Sequence, residues 1–174
     1  MRTYGEVVTA PYGAVEFCKT SEGEEACKAS AMRERVGLDA HDMGALETVN
    51  ELVNKGFKGM SDLEARGVTE DWRIPTDVAD CEDYALLKRK MLMERGWPAS
   101  ALLMTVVRDE KGEGHAVLTA RTAQGDFVLD NKHEGVKIWH KTPYQFVMRQ
   151  SYLNPKVWVA LAPEYAKDGR VAGR

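Results

Sequence analysis

Ala79-Asp80-Cys81-Glu82-Asp83-Tyr84-Ala85 opens a segment that runs to Arg95 and halts at Gly96. An aspartate in the N-cap position, acidic residues in the first turn and the run Leu86-Leu87-Lys88-Arg89-Lys90-Met91-Leu92-Met93-Glu94-Arg95 predict a helix beginning at Cys81. Tyr84, Leu87 and Met91 share one face at helical spacing, so the helix is expected to pack inward. A cysteine in the first turn feels the partial positive charge of unpaired backbone N–H groups, which favours thiolate, the nucleophilic form. Two considerations oppose a nucleophile. Free cysteines are mostly inert packing, and anions such as Asp80 and Glu82 disfavour a neighbouring thiolate.

Downstream of this helix the period changes. Ala101–Val107, His115–Arg121 and Phe127–Asp130 read as strands, separated by turns at Lys111–Gly114 and Thr122–Gly125. That is an antiparallel meander. Lys137–His140 predicts a short edge strand, Pro143–Tyr152 a short helix and Val157–Leu161 a last strand.

Upstream, His41–Lys55 is a helix capped by Asp42, with Leu46, Val49, Leu52 and Val53 as its apolar stripe and Gly56 as its stop. Phe57–Ala79 reads as a long connection, a length that points to function or to tethering. Residues 1–36 show little periodicity and are read as an irregular arm with one short helix near Cys27–Arg35. The fold class is therefore α+β, with helices in the first half and an antiparallel sheet in the second. One domain over 1–174 is expected at this length, with 1–8 and the tail from Tyr165 frayed.

Composition narrows the function. With 44% hydrophobic and 29% charged residues the chain is ordinary for a globular protein. A net charge of −3 gives no electrostatic footprint for nucleic acid or an acidic membrane. The longest apolar run, Ala101–Val107, is too short to span a bilayer, and no apolar segment of a signal peptide follows Met1-Arg2-Thr3-Tyr4. Three cysteines make an odd set. Cys18 and Cys27 flank a short polar segment that can close into a disulfide loop, leaving Cys81 as the free thiol. The alternative is three reduced thiols in a reducing compartment.

The meander supplies partners for that thiol. If Thr122–Gly125 is the loop, Asp130 falls opposite Val117, and His115 lies two residues further along the same face. Such a diagonal pair is about 7–8 Å apart at the backbone, within reach of two polar side chains. Asn131 points to the other face, so Asp130 is the favoured partner of His115 unless a bulge intervenes. A helix carrying Cys81 laid on this sheet then offers a nucleophile, a base and a residue to orient the base. Bland alternatives exist for each: a partly exposed histidine at a strand start and an ordinary strand-ending Asp130-Asn131. His133 and His140 are other candidate bases, and Asp109 is another candidate orienter. No cysteine and histidine spacing suggests a zinc site.

Asp80-Cys81-Glu82-Asp83-Tyr84-Ala85, the His-Ala-Val-Leu beginning at His115 and Phe127-Val128-Leu129-Asp130-Asn131 together resemble the bacterial transglutaminase-like cysteine proteinases. Ser61-Asp62-Leu63, Gly67, Asp71-Trp72 and Pro75 fit the same pattern, as do Ala10-Pro11-Tyr12-Gly13 and Phe17-Cys18. The likeness runs from about residue 9 to 162 in order and spacing. It implies a papain-like, transglutaminase-type core in which Cys81 is the nucleophile, His115 the base and Asp130 the orienter. It also implies calcium bound by acidic residues flanking the cysteine, here Asp80 and Glu82 with Asp83 close by. A bound cation would neutralise those acids and answer the objection to a thiolate. Further ligands would have to come from the 57–79 connection or from backbone carbonyls. Relatives of this kind are periplasmic proteases that clip surface adhesins. The resemblance thus implies an exported or periplasmic location, a protein substrate and a regulatory membrane protein as partner. Amide transfer or deamidation through the same acyl-enzyme is the second reading, and a non-catalytic calcium-dependent binding module the third. The chain departs from the family in carrying Ala79 where relatives often have glycine, and in being shorter than adhesin-cleaving members.

Overall fold

The computed structural model describes residues 1, 3–29 and 35–162, with Tyr4 described in its backbone alone. In chain order it comprises β1 (Thr3–Val8), α1 (Tyr12–Phe17), α2 (Ser21–Ala26), α3 (Ala40–Gly56), β2 (Lys58–Gly59), α4 (Asp62–Arg66), β3 (Val78–Ala79) and α5 (Cys81–Glu94). After a 3-10 turn at Ala99–Ala101 come β4 (Leu102–Arg108), β5 (Gly114–Thr122), β6 (Gly125–Leu129) and β7 (Lys137–Ile138). A second 3-10 turn, Trp139–Lys141, leads to β8 (Gln145–Gln150) and β9 (Trp158–Leu161). Among the described residues, seven strands pair in one sheet in the order β1-β9-β8-β4-β5-β6-β7, every neighbouring pair antiparallel. The fold is mixed helix and antiparallel sheet, as the change of period from 3.6 to 2 predicts.

The expected meander is β4-β5-β6-β7, with its turns where Gly112 and Gly125 take positive φ. Its continuation differs. Pro143–Tyr152 does not form a helix: Gln145–Gln150 is β8, pairing with the open edge of β4 across a bulge at Val106/Val107. Backbone hydrogen bonds offered by that edge outweigh the weak helical pattern of Gln145-Phe146-Val147-Met148. The N-terminal arm is also ordered, contrary to expectation. Thr3–Val8 is β1 on the outer edge of β9, and two short helices, Tyr12–Phe17 and Ser21–Ala26, follow it; the helix expected near Cys27–Arg35 falls mostly on residues that are not described. Residues 30–34 and the tail from Tyr165 lie outside the described residues.

Helix α3 is capped by Asp39, not Asp42; the two form a reciprocal capping box in which Asp42 is the returning residue. Its stripe buries Leu46, Val49, Asn50 and Val53, while Leu52 is 53% exposed. The 57–79 connection is partly built: β2 and β3 pair in parallel, and Ser61 and Glu64 form the capping box of α4. Among the described residues no helix is long and apolar enough to cross a membrane.

Helix α5 lies at the centre. It is buried on more than the Tyr84 face: Ala85, Leu86, Lys88, Arg89 and Leu92 are covered as well, while Leu87 and Met91 are half-buried. The apolar side chains among these share one core with Leu46, Val49 and Val53 of α3 and Leu102, Met104, Leu118, Ala120 and Leu129 of the sheet. Lys88 is 1% exposed, with its ammonium 5.8 Å from the centre of the Tyr84 ring. Burial depresses its pKa from 10.5 to about 7, against a weaker opposing pull from Asp130. Between those values the unfolded chain binds the proton and the folded chain does not, so this group makes stability rise as pH rises from about 7 towards 10. Lys88→Met should therefore stabilise the protein by on the order of a few kcal/mol at neutral pH and flatten that rise. Thermal melts of both proteins across that range check this.

Ahead of the core, α1 and α2 form a hairpin closed by the Cys18–Cys27 disulfide, whose Cα atoms are 5.7 Å apart. Cys81 is the free cysteine. Gly23 makes the hairpin possible, since a Cβ there would fall 1.7 Å from the carbonyl oxygen of Phe17. Gly23→Ala should cost about 2 kcal/mol or more through forced separation of the two helices, read as a lower denaturant midpoint at unchanged m-value.

Candidate active site

Cys81 is the first residue of α5, and its position brings it to the start of β5. The Cys81 Sγ accepts from the Ala116 backbone N–H at 3.4 Å and donates to the Glu82 carboxylate at 3.1 Å. Burial first, then the Glu82 charge and hydrogen bond, hold the thiol well above its ordinary pKa, so the cation-free site favours S–H. Asp80 occupies the N-cap position but its side chain makes no capping hydrogen bond.

The register of the β5–β6 ladder decides the next pair. Leu118 faces Leu129, so the ladder continued by one residue sets Asp130 opposite Val117, with His115 diagonal to it. The His115 Nε2 lies 2.8 Å from Asp130 Oδ1, and His115 and Asp130 are 3% and 4% exposed. Asp130 Oδ1 also accepts from Lys132 N at 3.1 Å, and its Oδ2 accepts a short hydrogen bond from the Tyr144 hydroxyl. Burial acts to raise the Asp130 pKa, but the hydrogen bonds from His115, Tyr144 and Lys132 N prevail and hold it at about 2. The carboxylate is thus an acceptor at neutral pH, so Nε2 is the donor and Nδ1 is the ring nitrogen left to act as a base. Nδ1 is buried without a hydrogen-bond partner.

Cys81, Gly114, His115 and Ala116 line one open cleft of about 460 Å³, together with Pro11, Asp62, Glu70, Trp72, Asp80, Glu82 and Met148. A more enclosed apolar pocket, bordered by Phe17, Ile74, Leu86 and Met93, is lined by none of the cysteine, histidine and aspartate of this site. The other candidates fall away by position. Asp109 holds Lys132 at 2.8 Å and caps the β4–β5 turn through the N–H groups of Lys111 and Glu113. His133 pairs with Glu110 at 3.3 Å, and His140 is exposed beside Trp139.

A group of acids adjoins the thiol. One carboxylate oxygen each from Asp62, Asp80 and Glu82 lies within 4.8 Å of the others. Burial, then the charge of Asp80, pushes the Glu82 pKa up to about 8, and burial likewise raises that of Asp80. The Asp80 Oδ1 is buried with no hydrogen-bond partner. Hard oxygen donors, mutual repulsion and an orphaned buried carboxylate oxygen are what a calcium-sized cation fits. Asp83 is not part of this group. Its Oδ1 accepts from Arg73 N at 2.9 Å and its Oδ2 lies 3.6 Å from Arg66, and burial raises its pKa to about 7. Asp62 takes its place, itself held by Arg66 and by the Asp71 N–H. Asp62 was not singled out as a ligand from the sequence, although it belongs to the 57–79 connection. The Ser61…Glu64 capping box was the available signal that this stretch is ordered. Tyr144 carried no local signal.

A helix with cysteine at its N-terminus, set against an antiparallel sheet bearing a His–Asp pair, defines a transglutaminase-like fold. The sequence profile of the bacterial transglutaminase-like cysteine proteinases matches residues 4–166, and the chain belongs to that family. No curated protein matches the chain. Among solved structures, Legionella pneumophila LapG in a calcium-bound form is similar at 23% identity and TM-score 0.56, over 72% of this chain and 74% of that one. A second LapG structure from the same organism is similar at 24% identity and TM-score 0.54, over 67% of each chain. An EGTA-treated LapG aligns at TM-score 0.55 and 24% identity, over 67% of this chain and 66% of that one. At these identities the likeness to LapG is one of fold. The chain is a transglutaminase-like cysteine peptidase.

Proposed function

We propose that Cys81, His115 and Asp130 form the catalytic triad of this peptidase and that it cleaves a peptide bond within a protein substrate. The observation that carries this is the state of His115: Nε2 is tied to Asp130 and Nδ1 is buried with no hydrogen-bond partner, while His115 and Cys81 line one cleft. In the first step the Cys81 sulfur attacks the peptide carbonyl carbon, and the thiol proton passes to His115 Nδ1. That proton then goes to the departing amine nitrogen as the C–N bond breaks, leaving an acyl-enzyme. A water gives its proton to Nδ1 and adds to the acyl carbon, and the proton returns to sulfur as the thioester breaks. Asp130 keeps the imidazole in one tautomer throughout, and the backbone N–H of Cys81 is placed at a helix start where it can serve the oxyanion.

Asp62, Asp80 and Glu82 are the residues that would hold calcium, in place of the set Asp80, Glu82 and Asp83 read from the sequence. When bound, the cation would supply positive charge beside the thiol, offsetting the carboxylates that add to burial in holding its pKa up. LapG has been seen with calcium bound; for this chain the donor set is the support. A periplasmic or exported setting accords with the Cys18–Cys27 disulfide, and a surface adhesin and a membrane-bound regulator are the substrate and partner that the family resemblance implies.

Alkylation by iodoacetamide in calcium-containing buffer, with mass mapping, tests the site. Cys81 should react fast in the wild type and at least roughly tenfold slower in His115→Ala, because the base is gone. Equal rates would contradict the pairing of thiol and imidazole.

A further inference from the structure

Asp130 is gripped from the side that faces away from His115. Its Oδ1 takes the His115 and Lys132 hydrogen bonds, and its Oδ2 takes the hydroxyl of Tyr144. Tyr144 is 3% exposed, in the segment just before β8. Its ring centre is 5.5 Å from that of His115, the planes inclined at 56°, and 5.7 Å from that of His133. One side chain therefore touches both the acid and the base.

We propose that Tyr144 is a positioning residue: its hydroxyl fixes the rotation of the Asp130 carboxylate, and its ring fixes the plane of the His115 imidazole. This rests on the triad described above. The physical need is plain. The terminal torsions of aspartate and histidine are broad, so neither group holds its own plane. A carboxylate bonded at one oxygen swings about that bond; one bonded at both does not. Burial, then the hydrogen bond to Asp130 and its charge, push the phenol pKa up, so the hydroxyl is a donor at neutral pH. The Lys132 ammonium is engaged with Asp109, and the His133 Nε2 lies 3.3 Å from Glu110. Lys88 of α5 also feels the Asp130 charge.

Two variants separate the parts of the side chain. Tyr144→Phe keeps the ring and removes the hydroxyl; Tyr144→Leu removes both. The readouts are the ¹⁵N spectrum of the His115 ring and the rate of Cys81 alkylation by iodoacetamide at one fixed pH. Both are taken with calcium present and well below each protein's Tm. The wild type should show a single tautomer with the proton on Nε2 and a slowly exchanging Tyr144 hydroxyl proton. Tyr144→Phe should mix the tautomers and slow alkylation roughly tenfold, and Tyr144→Leu should do more, since small displacements in such sites are costly. A wild-type His115 spectrum and alkylation rate in Tyr144→Phe would overturn the inference, even with a lowered Tm, because that is the pattern of mere packing. A fast-exchanging Tyr144 hydroxyl in the wild type would overturn it without any variant. If His115→Ala alkylates as fast as wild type, the triad fails, while the tautomer measurement still decides the role of Tyr144.

Discussion

Cys81→Ser should cut cleavage by at least about a thousandfold while leaving the melting temperature close to wild type. Serine can keep both hydrogen bonds of the thiol, to Glu82 and from the Ala116 N–H, so the packing at the head of α5 survives. It cannot supply a sulfur nucleophile. His115→Ala should lose a similar factor, since triad members act as a unit. Asp130 should be graded. Asp130→Ala removes the acceptor of Nε2–H, whereas Asp130→Asn can still turn an amide oxygen to His115 and Lys132 N. The expected order of kcat/KM is wild type, Asp130→Asn, Asp130→Ala, then His115→Ala and Cys81→Ser together at the bottom. Steady-state kinetics on an identified cleavage site measures it.

Chelation of calcium should remove activity and lower the Tm together. Buried Asp62 and Glu82 and half-buried Asp80 each place a carboxylate oxygen within 4.8 Å of the others, and burial, then the charge of Asp80, raises the Glu82 pKa to about 8. A ligand bound only by the folded state at about a hundredfold above its Kd stabilises by roughly 2.7 kcal/mol, or about 5–10 °C in a chain of this size. Glu82→Ala and Asp62→Ala should abolish that calcium-dependent shift. Asp83→Asn should keep it, because Asp83 serves Arg73 N and Arg66. Asp130→Ala should also keep it while losing turnover. Calorimetry with calcium or a chelator distinguishes these. A wild-type Tm that ignores the metal would remove the calcium site and leave the triad intact.

The parts of this fold legible in the sequence were those fixed by local pattern. The Cys81 helix, the hairpin turns of the meander and the register that pairs Asp130 with His115 all follow from side-chain period and loop length. What was not legible depended on long-range pairing. Thr3–Val8 and Gln145–Gln150 become strands because β9 and β4 offer open edges, and no local period announces that. The same limit explains the site. Cys81, His115 and Asp130 each sit beside a readable element boundary, but Tyr144 reaches Asp130 from the segment leading into β8, which forms only because the β4 edge pairs with it. Asp83 stays outside the acidic group, its Oδ1 bonded to the Arg73 N–H, and Asp62 joins Asp80 and Glu82 from α4. The spacing of charges along one helix turn cannot show that.

The central claim is that Cys81 cleaves peptide bonds in a protein. Profiling of new protein N-termini in an extract of bacterial surface and periplasmic proteins, treated with calcium and either wild-type or Cys81→Ser enzyme, tests it most directly. The prediction is a small set of new N-termini with wild type that are absent with Cys81→Ser and with chelator. Identical profiles for the two enzymes, with Cys81 intact and reduced, would contradict it.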